Sequence, residues 1–272
     1  MKFKKTLSLL CVAALLIACN TNPFTGKKTL ALVPNSQILP MAYQQYNQFL
    51  SESKVVSGTQ EAQMVKNVGQ KISAAAARYL NANGYTGYLN DYRWEYNLIQ
   101  DETKNAWAMP GGKIAFYTGI MPIAKNEAGV AAIMGHEVAH ALANHGQQRM
   151  SAAQLQQLGA VAGNVALGSD PKNQQIFNQA YGITSQVGVM LPFNRSNETE
   201  ADRIGLTLMA IAGYDPLAAA SLWERMKQTG GGAPPEFLST HPSSDTRIRN
   251  IRAWADEAKM EARKYGVTNF QG

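Results

Sequence analysis

The sequence predicts a mainly helical fold (α+β) with a small β-sheet beside its central helix. Three observations carry this. Residues 127–146, EAGVAAIMGHEVAHALANHG, form one proline-free, largely apolar run, as a buried helix requires. Helical patterns recur on both sides of it, over 41–56, 60–82, 151–168, 196–212, 216–228 and 243–265. Between residues 93 and 98 the period falls to two, Trp94, Tyr96 and Leu98 alternating with Glu95 and Asn97, which marks a strand.

At the N-terminus, residues 1–19 combine a basic head (Lys2, Lys4, Lys5), an apolar run from Leu7 to Ala18, and Cys19. The run is too short to cross a bilayer comfortably and has the proportions of an export signal. Leu16-Ile17-Ala18-Cys19 resembles the bacterial lipobox. It predicts that residues 1–18 are a lipoprotein signal peptide and that Cys19 is lipidated, with ordinary secretion or a retained membrane helix as the alternatives. Asn20 after the cysteine resembles the Gram-negative pattern sorted to the outer membrane, with the protein facing the periplasm.

Removal of the signal takes three lysines from the formal charge of +6 and leaves 22 basic against 19 acidic residues, or +3. With no basic block, nucleic acid is excluded as a partner. Cys11 leaves with the signal and Cys19 is blocked, so neither a disulfide nor a cysteine nucleophile is available.

Residues 19–40 hold Asn22-Pro23, Thr25-Gly26, Pro34 and Pro40 and read as a lipidated tether or arm with little regular structure. In the helix 60–82, Met64, Val68, Ile72, Ala75 and Ala76 make a core-facing stripe, which Asn83-Gly84 ends. The aromatic cluster from Tyr79 to Tyr96 reads mostly as packing. Asn105, Ala106, Trp107, Ala108 and Met109 precede Pro110-Gly111-Gly112 and a second short strand, 113–118. Proline and paired glycines suit an edge beside a turn. Such an edge either holds an extended peptide by strand addition or is a plain hairpin, and spacing does not separate the two.

Within the central helix, His136 and His140 share a face one turn apart, so two imidazoles can hold one metal. Glu137 is rotated about 100° from His136 and can reach a water there without ligating. Two buried histidines and a glutamate on an apolar helix are costly unless something satisfies them, and zinc suits the donors. His145 is turned away from this pair. Residues 151–168 read as a Gln/Ala-rich helix and 173–190 as a weaker one, and composition marks 150–193 as the place for a mobile cover. In the helix 196–212, Glu198 and Asp202 lie four apart on one face. Residues 230–235 are a loop, and Ser239-Thr240-His241-Pro242 leads into the last helix.

Glu198, Glu200, Asp202 and His241 are the candidates for the third ligand. Glu198 is favoured, because Asp202 one turn later can then orient a zinc histidine through its other ring nitrogen. Zinc would acidify a water and polarise a scissile carbonyl, and Glu137 would carry the water's proton to the leaving amine. His241 or Arg247 would supply the oxyanion donor; alternatively, His241 caps the open zinc position and keeps the protein latent.

Four ordered segments carry a resemblance: HEVAH (136–140), NETEADRIG (197–205), NAWAMPGGKIAFYTGI (105–120) and STHPSSDTRI (239–248). Spanning about residues 90–250, they are similar to the M48 zinc metallopeptidases, specifically the bacterial exported branch active in outer-membrane protein quality control. The resemblance implies a zincin-like gluzincin fold, with residues 41–272 as the peptidase domain. It implies one Zn2+ per chain on His136, His140 and Glu198, with Glu137 as general base, Asp202 in support, and His241 and Arg247 at the active site. The implied activity is that of a zinc metalloendopeptidase on unfolded or misassembled envelope proteins, tied to the membrane by its lipid anchor, with the outer-membrane assembly machinery as a further partner. The alternative is an assembly factor or chaperone with little proteolysis.

Overall fold

A computed structural model describes residues 19–168, 170–186, 190–229, 236–242 and 244–272. The expected signal peptide (1–18) and the expected loop (230–235) lie outside the described residues. Two compact units are present, the described parts of Met1–Ile38 with Asn144–Asn197, and of Leu39–Ala143 with Glu198–Gly272.

Strands β1 (Cys19–Thr21) and β2 (Lys28–Leu30) pair antiparallel, with Asn20 opposite Thr29. Gly26 turns the chain at φ 68°, and the buried Asn22 side chain accepts from the Phe24 N–H at 2.8 Å. The expectation of an arm with little regular structure is thus corrected: its turn residues close a tight hairpin. Helix α1 (Asn35–Glu52) then begins earlier than expected and contains Pro40. Ser36 and Pro40 are both exposed, so the carbonyl that proline leaves without a helical donor meets water.

The expected helix 41–56 ends at Glu52, and β3 (Val55–Val56) joins a sheet instead, a state that suits paired β-branched residues. After α2 (Gln60–Ala82) come β4 (Glu95–Ile99), β5 (Ala106–Met109) and β6 (Lys113–Tyr117). The sheet order is β3-β4-β6-β5, with β4 and β6 parallel and the other pairs antiparallel. Strand β5 therefore lies at an edge. Gly111 and Gly112 make its turn at φ 81° and 85°, where a Cβ would collide with the Tyr43 and Trp94 rings.

The remaining elements are helical: α3 (Met121–Ala124), α4 (Glu127–Leu142), α5 (His145–Leu167), α6 (Pro171–Ser185), α7 (Leu191–Ile211), α8 (Leu217–Gln228), α9 (Glu236–Thr240) and α10 (Asp245–Arg263). Every residue of α4 from Ala128 to Leu142 is buried, as a helix apolar on nearly all sides requires. It packs against α2, α3, α8 and β5. Asn126 caps its start, accepting from the Gly129 N–H at 2.9 Å. At its end the Tyr88 and Tyr92 hydroxyls donate to the carbonyls of Leu142 and Ala141, at 2.7 and 3.1 Å, which satisfies two orphan acceptors. On the sheet, Trp107 packs edge-on against Tyr46 and Phe49 of α1.

In the other unit, α5 and α6 run antiparallel, since Gln156 meets Ser185 while Asn164 meets Asn178. Gly159 and Gly163 leave room for the Tyr181 and Phe177 rings. Gln147 of α5 holds the N-terminal segment: it accepts from Asn20 at 3.2 Å and donates to the Val33 carbonyl at 2.7 Å. Among the described residues no helix is long and apolar enough to cross a membrane.

Candidate metal centre

The centre is built on α4. His136 and His140 are buried, and their Nε2 atoms lie 3.1 Å apart. Helix α7 brings the carboxylates by crossing α4 at two glycines. A Cβ on Gly205 would stand 3.0 Å from the Gly135 carbonyl carbon and the His136 nitrogen, and one on Gly135 would stand 2.9 Å from the Gly205 oxygen. Two missing side chains thus let the backbones close up, and Glu198 and Asp202, on the turns of α7 before Gly205, reach the histidines.

Glu198 Oε2 lies 3.3 Å from His136 Nε2, and its Oε1 lies 3.2 Å from His140 Nε2. His241 follows α9, its N–H donating to the Phe237 carbonyl at 2.8 Å. Its Nδ1 is 3.1 Å from His136 Nε2 and 2.9 Å from Glu198 Oε2. Glu137 is buried beside the group, with Oε1 3.5 Å from His241 Nε2.

Hydrogen bonding alone cannot account for this cluster. His136 Nε2 has two ring nitrogens and a carboxylate oxygen within 3.3 Å, yet an imidazole nitrogen carries at most one proton. Tetrahedral zinc with ligands at about 2.0–2.1 Å sets its donors roughly 3.3 Å apart, close to the separations found here. Three imidazoles and one carboxylate are also donors that zinc takes. His136, His140, Glu198 and His241 therefore form one zinc-binding site, the only such group identified among the described residues.

Of the sequence's candidates, Glu198 and His241 join the histidine pair, whereas Glu200 and His145 are not in the group. Asp202 lies on the other side of the His136 ring, its Oδ1 3.0 Å from Nδ1, and so fixes the tautomer that turns the Nε2 lone pair inward. Arg247 grips Asp202 in turn: Nε donates to Oδ2 at 2.7 Å and Nη2 to Oδ1 at 2.6 Å. The same guanidinium donates to the Pro242 carbonyl at 3.2 Å, lies 3.4 Å from Glu198 Oε2, and stacks 3.5 Å above the Trp223 ring. Arg247 thus ties α7 to the segment that carries His241.

Trp223 also meets His136 edge-on, and Phe237 lies against His241 with centroids 4.7 Å apart. These two aromatics and the Gly135–Gly205 crossing are absent from the sequence-based expectations. Single aromatics and glycines carry no spacing signal, and only the fold brings them to the site.

The electrostatics follow from burial and pairing. Burial pushes His136 down, but Asp202 and Glu198 reverse this and carry it up to about 9. Burial pushes Glu198 up, but the three histidines hold it well below the usual carboxylate range. For Asp202, too, burial raises the pKa and is outweighed, by Arg247 and His136, so that the net shift is downward.

Strand β5 packs against α4. Asn105 is buried and accepts from the Ala106 N–H at 2.9 Å, while the Trp107 indole donates to the Tyr117 hydroxyl at 3.2 Å. Ala106, Ala108 and Met109 pair with β6 on one side of the strand. Cys19 is the first residue of β1.

The profile of peptidase family M48 matches residues 66–255, a span that holds every residue of the centre. Mitochondrial metalloendopeptidase OMA1 of Schizosaccharomyces pombe is 41% identical over 175 residues, 64% of this chain and 50% of the relative. The Saccharomyces cerevisiae protein of the same name is 35% identical over 202 residues, 71% of this chain and 56% of the relative. Beta-barrel assembly-enhancing protease of Escherichia coli is 28% identical over 193 residues, 67% of this chain and 39% of the relative. The chain thus spans about half the length, or less, of these curated relatives.

Proposed function

The chain belongs to peptidase family M48, and we propose that it is a zinc-dependent endopeptidase acting on extended or misfolded polypeptides. The observation that carries this is the convergence of His136, His140 and Glu198 on one point, with the Glu137 carboxylate buried beside them. Zinc, when bound, polarises a carbonyl and acidifies a water. Glu137 takes the proton of the attacking water and delivers it to the leaving amine. Asp202 holds His136 in one tautomer, and Arg247 holds Asp202. The edge of β5 supplies backbone groups for an extended chain, which recognises main chain more than sequence.

His241 is the fourth donor of a closed set, whereas a catalytic zinc site keeps one position for water or substrate. We therefore assign His241 to a latency plug rather than to the oxyanion. The finer setting is also our reading: a lipid anchor on Cys19, an outer-membrane location facing the periplasm, and unfolded or misassembled envelope proteins as substrates. The lipobox-like Leu16-Ile17-Ala18-Cys19 and the likeness to the Escherichia coli protease support it.

The test measures zinc content and casein cleavage with and without chelator, in the parent and in Glu137→Gln, each also with His241→Ala so that the proposed plug does not mask cleavage. One zinc per chain in each, with cleavage lost on chelation and reduced about 10²–10⁴-fold by the Glu137 substitution, is the expected result. Cleavage that survives the substitution would remove Glu137 as the base. In cells, a Glu137→Gln protein that keeps its full effect on envelope assembly would favour the assembly-factor reading.

A further inference from the structure

The unit formed by the described parts of residues 1–38 and 144–197 has a surface that the metal centre does not explain. Of the twelve large apolar side chains exposed among the described residues, eight lie between Met150 and Leu191. In that stretch of sequence the only charged residues are Asp170 and Lys172. At 100° per residue, Met150, Leu158, Val161 and Val165 fall on one face of α5, with Leu155 at its flank. Gly159 and Gly163, which seat the α6 aromatics, lie on the opposite face. The stripe is therefore the side of the helical pair that α6 leaves uncovered; Leu158 is 62% and Val165 77% exposed. A contiguous apolar face of this kind marks an interaction surface.

Charge and chain continuity indicate what covers it. After Cys19 this unit carries Lys27, Lys28, Arg149, Lys172 and Arg195 against Asp170 alone, a net +4, which leaves 17 basic and 18 acidic residues for the other unit. Lys27 and Lys28 line the same groove as Leu155. Cys19 begins β1, and Asn20 and the Val33 carbonyl are hydrogen-bonded to Gln147 of α5. The segment that leaves the proposed anchor is thus held on the helix that bears the stripe. No described helix is suited to crossing a bilayer, so the pair would lie in the interface.

We propose that the α5–α6 pair is a membrane-docking surface. Its apolar stripe enters the headgroup–acyl boundary of a leaflet, and the lysines and arginines of the unit meet anionic lipid phosphates. This assigns to a lipid surface a segment that composition had suggested as a cover over the active site. It is consistent with the anchor reading but does not require lipidation.

The test uses residues 19–272 with Cys19→Ala, so that no acyl chain contributes, and co-sedimentation with sucrose-loaded vesicles. Binding is expected to vesicles of phosphatidylethanolamine and phosphatidylglycerol (3:1), and to be weaker to phosphatidylcholine alone. Leu158→Gln with Val165→Gln should weaken it by about tenfold or more, since each substitution removes an exposed apolar side chain from the bilayer. Unchanged zinc content and helicity would show that the variant is folded. As an independent readout, an environment-sensitive dye on Leu158→Cys should be quenched by brominated acyl chains, and one on Glu61→Cys should not. Failure of the unsubstituted chain to bind vesicles overturns the proposal. So does a concentration-dependent dimer, or capture of unfolded casein, that depends on Leu158 and Val165 without vesicle binding. Lipidation of Cys19 is read separately, from the mass of the mature N-terminus in cells, so either reading can fail alone.

Discussion

Arg247 and His241 sit one layer apart at the centre: His241 is one of the four donors, and Arg247 grips Asp202 behind them. Arg247 is buried, and its charge is matched chiefly by Asp202. Arg247→Ala would leave a buried carboxylate facing only His136 and is expected to cost about 3–5 kcal/mol. With Asp202 loosened, zinc affinity should also fall about 10–100-fold, the usual consequence of losing support behind a metal ligand. Thermal melts and competition against a chromophoric chelator measure both; a variant that melts early but binds zinc normally would confine Arg247 to stability. Arg247→Lys should recover little, because a lysine cannot reproduce the two-pronged grip and the stacking on Trp223. His241→Ala opens the fourth position of the donor set. If His241 is a plug, casein cleavage rises while zinc stays bound; if it serves the transition state, cleavage falls at constant KM. Much of this layer was legible from spacing. A helical period aligns His136 with His140, and the four-residue step from Glu198 to Asp202 makes sense of both acids. Trp223 and Phe237 were not legible, because their closeness to the histidines arises only when α8 and α9 are packed.

At the scale of elements, the crossing of α4 and α7 determines whether the carboxylates meet the imidazoles at all. Gly205→Ala introduces a methyl 3.0 Å from backbone atoms, which cannot rotate away. The helices must separate by a few tenths of an ångström, an overpacking cost of about 1–3 kcal/mol. The expected signature is a lower Tm together with weaker zinc binding, since Glu198 and Asp202 ride on the displaced helix. Ala210→Gly, five residues further along α7 from Gly205 and also buried, serves as the comparison: it should lower Tm without a matching loss of zinc affinity. Equal zinc affinity in the parent and Gly205→Ala would show that the crossing does not set the site. Most helices were readable from periodicity, and the strand at 93–98 from alternation, but the run 127–146 is not one helix: α4 ends at Leu142, and Asn144 at φ 55° separates it from α5. The hairpin of β1 and β2 was not, because its three-residue strands are too short to show a period, and its turn residues look like those of a loose arm. Pro40 likewise pointed to a break, yet an exposed proline in an early turn of α1 leaves only a carbonyl that water can satisfy.

At the scale of the molecule, the net +3 of residues 19–272 divides between a basic unit and a nearly balanced one that holds the metal centre. That balanced unit contains all four donors, so its stability is linked to both protons and metal. In the metal-free protein His136 is raised to about 9, from about 6.5 for an unperturbed histidine. A raised value means that the folded state holds the proton more tightly. The resulting stability is fully present below about pH 6.5 and is lost as the pH climbs to about 9. At the acid end the signs reverse. Glu198 and Asp202 are held down, so their contribution is present above the ordinary carboxylate range and fades only as the pH falls through their lowered values. Zinc takes the lone pair that the His136 proton would occupy, so the zinc-loaded protein should not share the alkaline loss. Saturating zinc adds about 4 kcal/mol at a thousandfold excess over Kd. Melting curves of chelated and zinc-loaded protein between pH 6 and 9 should therefore diverge, the chelated Tm declining while the loaded one holds or rises. A chelated Tm that stays flat across this window would mean that His136 is not protonated in the empty site, and that the carboxylates are balanced in some other way.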